Sequence, residues 1–459
     1  MSIRDLRGFL ELLKDAGELH RISAEVDPIL EVSAITNRVS KMAKGGKALL
    51  FENPRGAEFP VATNIFGSLQ RTAWALWSDD LGRLEKRIAN EYAATHGGTA
   101  VERFRRLIEQ PAWLPRLVAK AEWQNKTLAK VDLKKLPALK NWPEDGGPYL
   151  TLPMIFTRDP ASGRGNCGMY RVQIFDEKTA GIHWNRHADG ARHFSAYRAR
   201  SKKMPVAIAL GGDTALMYAA GAPLPGGIDE VAFAGYLRQD ALEMVRCQTC
   251  DLEVPASSEF IIEGYIDPGE EHEEGPFGNH TGYYVPADKA PMIHVTAISH
   301  RDGAIFPATV VGPPPMEDCY LAKASERLFL PLLQAEIPEI VDLNRPLEGI
   351  FHGASLVSIR RENDNDARRV IEQLWEMGPL GGGRVIVVVD EEIDVQNAGQ
   401  VYWRLLNDID PENDMLTSES RLGIDGTSKS SRNREKVLAD DETERRVEQR
   451  WAEYGFAIR

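Results

Sequence analysis

The run Gly312-Pro313-Pro314-Pro315 is the clearest break in the chain. Three successive prolines fix φ and remove three backbone donors, so neither a helix nor a central strand passes through them. The sequence reads differently on the two sides. From Tyr149 to Phe306, short β-rich segments such as Met169–Phe175, Pro205–Leu210, Glu259–Ile266 and Met292–His300 stand between glycine and proline turns. Strands in such succession predict a small barrel or a strongly bent sheet. After the break, Cys319–Leu333 predicts a long helix with Leu321, Ala324, Leu328 and Leu332 on one face. Strand Ala354–Ile359, helix Asp366–Met377, strand Arg384–Val389 and helix Ala398–Leu406 follow, an alternation that predicts an α/β layer with at least one crossover. A charged helix over Asp440–Tyr454 ends the chain. At the other end, Leu6, Phe9, Leu10 and Leu13 recur at helical spacing before Gly17, and Ala48–Phe51 reads as a strand. The expected organisation is an N-terminal α/β cap (1–115), a β-rich domain (116–312), a helical linker (313–340), an α/β domain (341–440) and a C-terminal helix (441–459).

Charge excludes several functions. Against 55 basic residues stand 68 acidic ones, a net charge of −13 that repels phosphate backbones and argues against nucleic-acid binding. No basic amphipathic face invites a membrane surface, and no apolar run approaches the roughly 18 residues of a membrane span. Arg4, Asp5 and Arg7 interrupt the place where a signal peptide needs an apolar stretch. Four cysteines in 459 residues are too few for a disulfide framework, which points to a reducing cytoplasm.

Cys247-Gln-Thr-Cys250 has half the spacing of a zinc site, but no second pair completes it, and buried structural thiols are expected. Gly381-Gly382-Gly383 precedes a strand instead of opening a helix, so it reads as a turn and not a phosphate loop. Glu391, Glu392 and Asp394 read as a solvated cluster. Chemistry concentrates in three other polar stretches: Gly165–Arg171 with His183–His187, Gly226–Glu230, and Glu273–Tyr284. Brought together, Asn166, His187 and Glu230 would offer an amide oxygen, an imidazole and a carboxylate, a set suited to six-coordinate Mg²⁺ or Mn²⁺. Arg171 would grip a carboxylate bidentately, and Glu274 would be held ionised beside it or pass a proton when poised by burial. Spacing alone does not gather these groups, because a histidine in a strand or an Arg–Glu pair is ordinarily structural.

At these stretches the sequence resembles the UbiD-type decarboxylases, which use prenylated flavin mononucleotide (prFMN) to remove or add CO₂ on unsaturated and aromatic acids. The likeness begins at Arg4-Asp5-Leu6-Arg7 and Gly17-Glu18-Leu19 and continues through Leu50–Asn53. It takes in Asp251–Ala256, Glu263–Ile266 and Glu274–Tyr284, and it ends near Gly423–Lys429. The resemblance implies a split β-barrel flavin-binding domain joined by a long helix to a C-terminal α/β oligomerisation domain. It places the divalent metal, usually Mn²⁺, on Asn166, His187 and Glu230, with K⁺ close by. Flavin contacts fall on Met169, Tyr170, Arg171, His183, Trp184 and Asn185, and on Ala188 and Asp189, with Ala188 where the family has an arginine. Lys429 falls where a lysine reaches the cofactor phosphate from the second domain. A flavin prenyltransferase would supply the cofactor, and a homodimer or larger homo-oligomer is implied.

The chemistry explains the need for such a cofactor. Loss of CO₂ from an sp² carbon leaves an electron pair orthogonal to the π system, and a covalently bonding cofactor supplies the missing sink. Arg171 would orient the acid and Glu274 would hold Arg171. The family's motif ends in Gly followed by an acid that protonates the product carbon; here that position is Asn279, an amide. The proton then comes from Glu274, His280, water or a substrate hydroxyl. The expected substrate is an aromatic or heteroaromatic acid, hydroxylated or fused-ring. An FMN oxidoreductase on the same barrel and a non-catalytic subunit are the competing readings.

Overall fold

The computed structural model describes residues 3–350, 352–429, 437 and 439–456. The chain opens with helix Leu6–Asp15, capped by the Asp5 carboxylate on the Gly8 amide and burying Leu6, Phe9, Leu10 and Leu13. Strands Leu19–Val26, Ala48–Pro54 and Val61–Thr63 then form a small sheet. Its fourth strand, Phe306–Pro307, comes from the far end of the β-rich region. The first and middle regions therefore share one sheet, which their separation in sequence does not suggest.

The large sheet has nine strands. Along its main path they run Tyr149–Leu150, Val172–Ile174, Thr179–Ile182, Asp288–His300, Phe260–Glu274, Met204–Leu210, Met154–Arg158 and Gly165–Met169. The sheet is a curled half-barrel, and its path shows how the curl is held. Gly165–Met169 lies at one end, whereas Val172–Ile174 lies next to the opposite end. Tyr170 and Arg171 alone connect them. Two extended residues reach no further than about 11 Å from Met169 to Val172, so the ends of the sheet must approach each other there. The single strand expected over Met169–Phe175 is thus two strands on opposite margins, and the chain crosses the seam between them. Two other strands are longer than expected. Phe260–Glu274 and Asp288–His300 form an extended hairpin whose last pairing is Glu274 with Asp288.

The helix after the prolines runs Glu317–Glu336, beyond the expected Cys319–Leu333 at both ends, and tolerates Pro331 in its interior. It buries Leu328, Phe329, Leu332 and Leu333 in the core beneath the N-terminal helices. The C-terminal sheet orders Ile340–Asn344, Ala354–Ile359, Val385–Asp390, Arg421–Asp425 and Met415–Ser418. Its three middle strands are parallel, with helices Asp366–Glu376 and Ala398–Asp408 in the crossovers. The charged tail is a helix only over Asp441–Gln449, followed by a 3₁₀ turn at Trp451–Tyr454. No helix among the described residues is long and apolar enough to cross a membrane.

Candidate active site

The guanidinium of Arg171 projects from the seam. Its Nε and Nη2 donate to the two carboxylate oxygens of Glu274, both at 2.8 Å, in a bidentate pair. Glu274 ends the long strand and is 1 % exposed, so the pair forms largely out of water. His183 Nδ1 lies 3.0 Å from the same carboxylate, and the Arg171 guanidinium stacks 4.5 Å over the Phe277 ring. Burial alone would raise the Glu274 carboxyl, but hydrogen bonds from His183 and Arg171 outweigh it and hold the group at about 2. Glu274 is consequently a fixed anion that orients Arg171, and it carries no proton to give near neutrality.

Arg171, His183 and Phe277 border a cavity of about 690 Å³, a size suited to a cofactor ring and a small acid. Met169, Tyr170, Arg171, His183, Asn185 and His280 line it, as the sequence stretches anticipate. The sheet makes room for the aromatic part of the wall by omitting side chains. A Cβ on Gly168 would fall 2.3 Å from the Tyr170 hydroxyl, and one on Gly190 would meet the Tyr170 and Trp184 rings at 3.2 Å. Trp184 packs edge-on against Tyr170, with 5.9 Å between ring centroids.

Asn166 and Glu230 meet at a second, adjoining pocket of about 200 Å³. Asn166 lies on strand Gly165–Met169, and Glu230 opens helix Glu230–Arg238. The Cys167 amide donates to Glu230 Oε2 at 3.1 Å and ties the two elements together. Loss of water pushes the Glu230 carboxyl up to about 7, and no lysine or arginine forms an ion pair with it among the described residues. A desolvated carboxyl that Arg164 influences only at a distance, next to an amide side chain, is a donor set that fits a hard divalent cation. His187 is not brought to this pocket: it is exposed, and its Nε2 accepts from Arg186 Nε at 3.2 Å.

The other anticipated residues are placed as follows. Ala188 caps helix Asp189–Arg198, and Asp189 pairs with Arg192 on that helix. Asn279 does not line the cavity; its Oδ1 accepts from the Thr281 amide at 2.8 Å and from the Thr281 hydroxyl at 2.5 Å, closing a turn. His280 does line it and approaches His352, in the turn before strand Ala354–Ile359, Nε2 to Nε2, at 3.3 Å. Burial and then His352 push the His280 imidazole down to about 4, so it is neutral at pH 7. Lys429 lies away from the cavity, 2.6 Å from Asp425 Oδ1. Sequence reasoning missed the opposite lining of Thr151, Leu152, Thr309, Val311, Glu317, Asp318 and Leu321. The prolines before Glu317 were its one signal, since they aim the next helix's first turn at the sheet.

The thiols of Cys247 and Cys250 are half-buried, not buried as expected, because their turn lies at the end of strand Glu243–Arg246. With Glu263 they bring ligand atoms within 4.8 Å of one another. The Glu263 carboxylate already accepts from the Gln248 and Thr249 amides and the Thr249 hydroxyl, which accounts for its burial as a brace for the turn.

Three family models cover most of the chain. The 3-octaprenyl-4-hydroxybenzoate carboxy-lyase N-terminal domain matches residues 10–89, the Rift-related domain 116–314 and the C-terminal domain 319–440. The chain belongs to the UbiD family. A relative from Archaeoglobus fulgidus, an uncharacterized protein, is 41 % identical over 99 % of both chains. Among solved UbiD-class structures, an evolved dimeric form of HmfF from Pelotomaculum thermopropionicum in complex with prFMN superposes with a TM-score of 0.81 at 28 % identity, covering 96 % of this chain and 98 % of that one. The closed form of vanillic acid decarboxylase from Sedimentibacter hydroxybenzoicus gives a TM-score of 0.84 at 26 % identity over 99 % of each chain. The split-barrel UbiD architecture expected from the sequence is therefore the observed one.

Proposed function

We propose that this UbiD-family chain is a reversible, prFMN-dependent decarboxylase of an aromatic or heteroaromatic acid. The observation that carries the reading is Arg171, held bidentately by a permanently ionised Glu274 on the wall of a 690 Å³ cavity. A guanidinium oriented in this way presents its remaining N–H groups to an incoming carboxylate. The net charge of the Arg171–Glu274 pair is near zero, so the acid is gripped without a surplus of positive charge that would resist the departure of neutral CO₂. Phe277, Leu152, Val311 and Leu321 give the cavity its apolar share, which strips water from the carboxylate and favours a planar ring. When bound, prFMN supplies the covalent electron sink that an sp² carbon lacks. Asn166 and Glu230 would hold the Mn²⁺ or Mg²⁺ that neutralises its phosphate, with K⁺ nearby, as the resemblance implies; His187, the third implied ligand, stands outside their pocket and would have to turn inward to join them. Vanillic acid decarboxylase among the neighbours supports a hydroxylated ring as substrate.

The deciding experiment is co-expression with a flavin prenyltransferase, mass spectrometry of the bound flavin and a CO₂-release screen over aromatic acids. The expected result is prFMN in the protein and turnover of ring carboxylates, lost in Glu274→Gln. Plain FMN with turnover of a redox pair would favour an oxidoreductase. Loaded prFMN with no CO₂ release from any acid would favour a non-catalytic subunit.

A further inference from the structure

Decarboxylation ends with a proton on the carbon that lost CO₂, and Asn279 has none to give. The cavity itself supplies the candidates. Among its lining residues, transferable protons lie on Tyr170, His183, His280, Glu317 and Asp318. Tyr170 is pushed up by burial, and its phenol bonds Asn166. His183 is engaged by Glu274, and His280 by His352. Glu317 is 2 % exposed, and its Oε1 accepts from the Phe66 amide at 2.9 Å. Asp318 differs from all of these. It is half-buried on the first turn of helix Glu317–Glu336, and its Oδ1 accepts from the Cys319 amide at 2.9 Å. Its Oδ2 makes no hydrogen bond, and no cation pairs with it, among the described residues. The nearest opposing charge is Lys41, whose ammonium is spent on the carbonyls of Pro313 at 2.5 Å and Pro315 at 2.9 Å.

We infer that Asp318 is the acid that delivers the proton to the substrate carbon vacated by CO₂, an assignment that rests on the decarboxylase reading above. When the carbon–carboxylate bond breaks, its electron pair stays with the ring carbon. The proton moves from Asp318 Oδ2 to that carbon, and the aspartate left behind regains a proton from water. In the carboxylation direction the aspartate removes the same proton. Lys41 from the end of helix Glu31–Ser40 and Cys319 on its own helix act on its charge, and Glu317, Arg171, His183 and His280 line the same cavity. Burial pushes the Asp318 carboxyl up to about 6, so the proton-bearing form is populated near neutrality and depleted at higher pH.

The test compares wild type, Asp318→Asn and Asp318→Glu, all loaded with prFMN by co-expression. It reads CO₂ release against pH, exchange of the ring hydrogen of added product for solvent deuterium, and binding of the acid. The infrared carboxyl band of the cofactor-free protein is recorded alongside. D318N is expected to release CO₂ about 100-fold more slowly, to lose deuterium exchange and to lose the fall in rate above pH 6, with flavin content and acid binding retained. D318E restores part of the rate. In the cofactor-free protein, the wild-type-minus-D318N difference spectrum carries one protonated carboxyl band that titrates near 6, bands common to both, such as that of Glu230, cancelling. The inference fails if an active wild type and D318N differ less than about threefold, if the alkaline fall persists in D318N, or if no such band is seen. A prFMN-loaded wild type that releases no CO₂ from any acid removes the decarboxylase reading, and the role of Asp318 falls with it.

Discussion

Glu274 sits in the best-defined part of the site, and its environment gives a sign-definite pH effect. Its folded value of about 2 lies below the ordinary 4.5, so the pair with Arg171 stabilises the fold fully above pH 4.5 and loses that contribution as pH falls through 2. The gap corresponds to about 3 kcal/mol. Glu274→Gln is expected to cost a similar amount, about 3 kcal/mol, by leaving Arg171 without its counter-charge. Urea unfolding at pH 7 and at pH 3 checks both, because the difference between wild type and variant should shrink at the lower pH. At this scale the polar stretches of the sequence were informative: Arg171, His183 and His280 line one cavity, and Glu274 holds the first two from behind. Asp318 was not legible, because an acid in the first turn of a helix is ordinary dipole complementation. Only the packing that half-buries it on the wall of the same cavity as Arg171 distinguishes it. Asn279 conveyed its lack of a proton, but not that its amide oxygen is committed to the Thr281 turn.

Hydrophobic period and turn residues placed most helices and strands, including the parallel core of the C-terminal sheet. What they did not convey is which strands become neighbours. Met169–Phe175 has the composition of one continuous strand, and nothing local marks the change of sheet margin at Tyr170. The close approach of Gly168 to the Tyr170 ring belongs to that crossing. Gly168→Ala should displace the phenol, costing about 1–3 kcal/mol through overpacking and lowering flavin content. The melting temperature and the flavin-to-protein absorbance ratio of the purified variant check this. Unchanged loading would separate the Tyr170 wall from cofactor binding.

At the scale of the molecule, helix Ala398–Asp408 leaves Tyr402, Trp403 and Leu406 exposed, Leu406 by 84 %. Large apolar side chains grouped on one helix mark an association surface, and the expected occupant is a second copy of the chain. Trp403→Glu with Leu406→Glu should shift the protein to monomer in light-scattering chromatography while leaving its fold intact by circular dichroism. The seam at Tyr170 and Arg171 has a wider consequence. Strands adjacent in the chain come to stand at opposite margins of the sheet only after hairpin Phe260–His300 has inserted between them. The Arg171 guanidinium is thereby mounted by a long-range step of assembly. On the proposed function, a half-folded chain lacks the Arg171 wall of the cavity, and a costly modified flavin is expected to load only onto molecules that have finished folding.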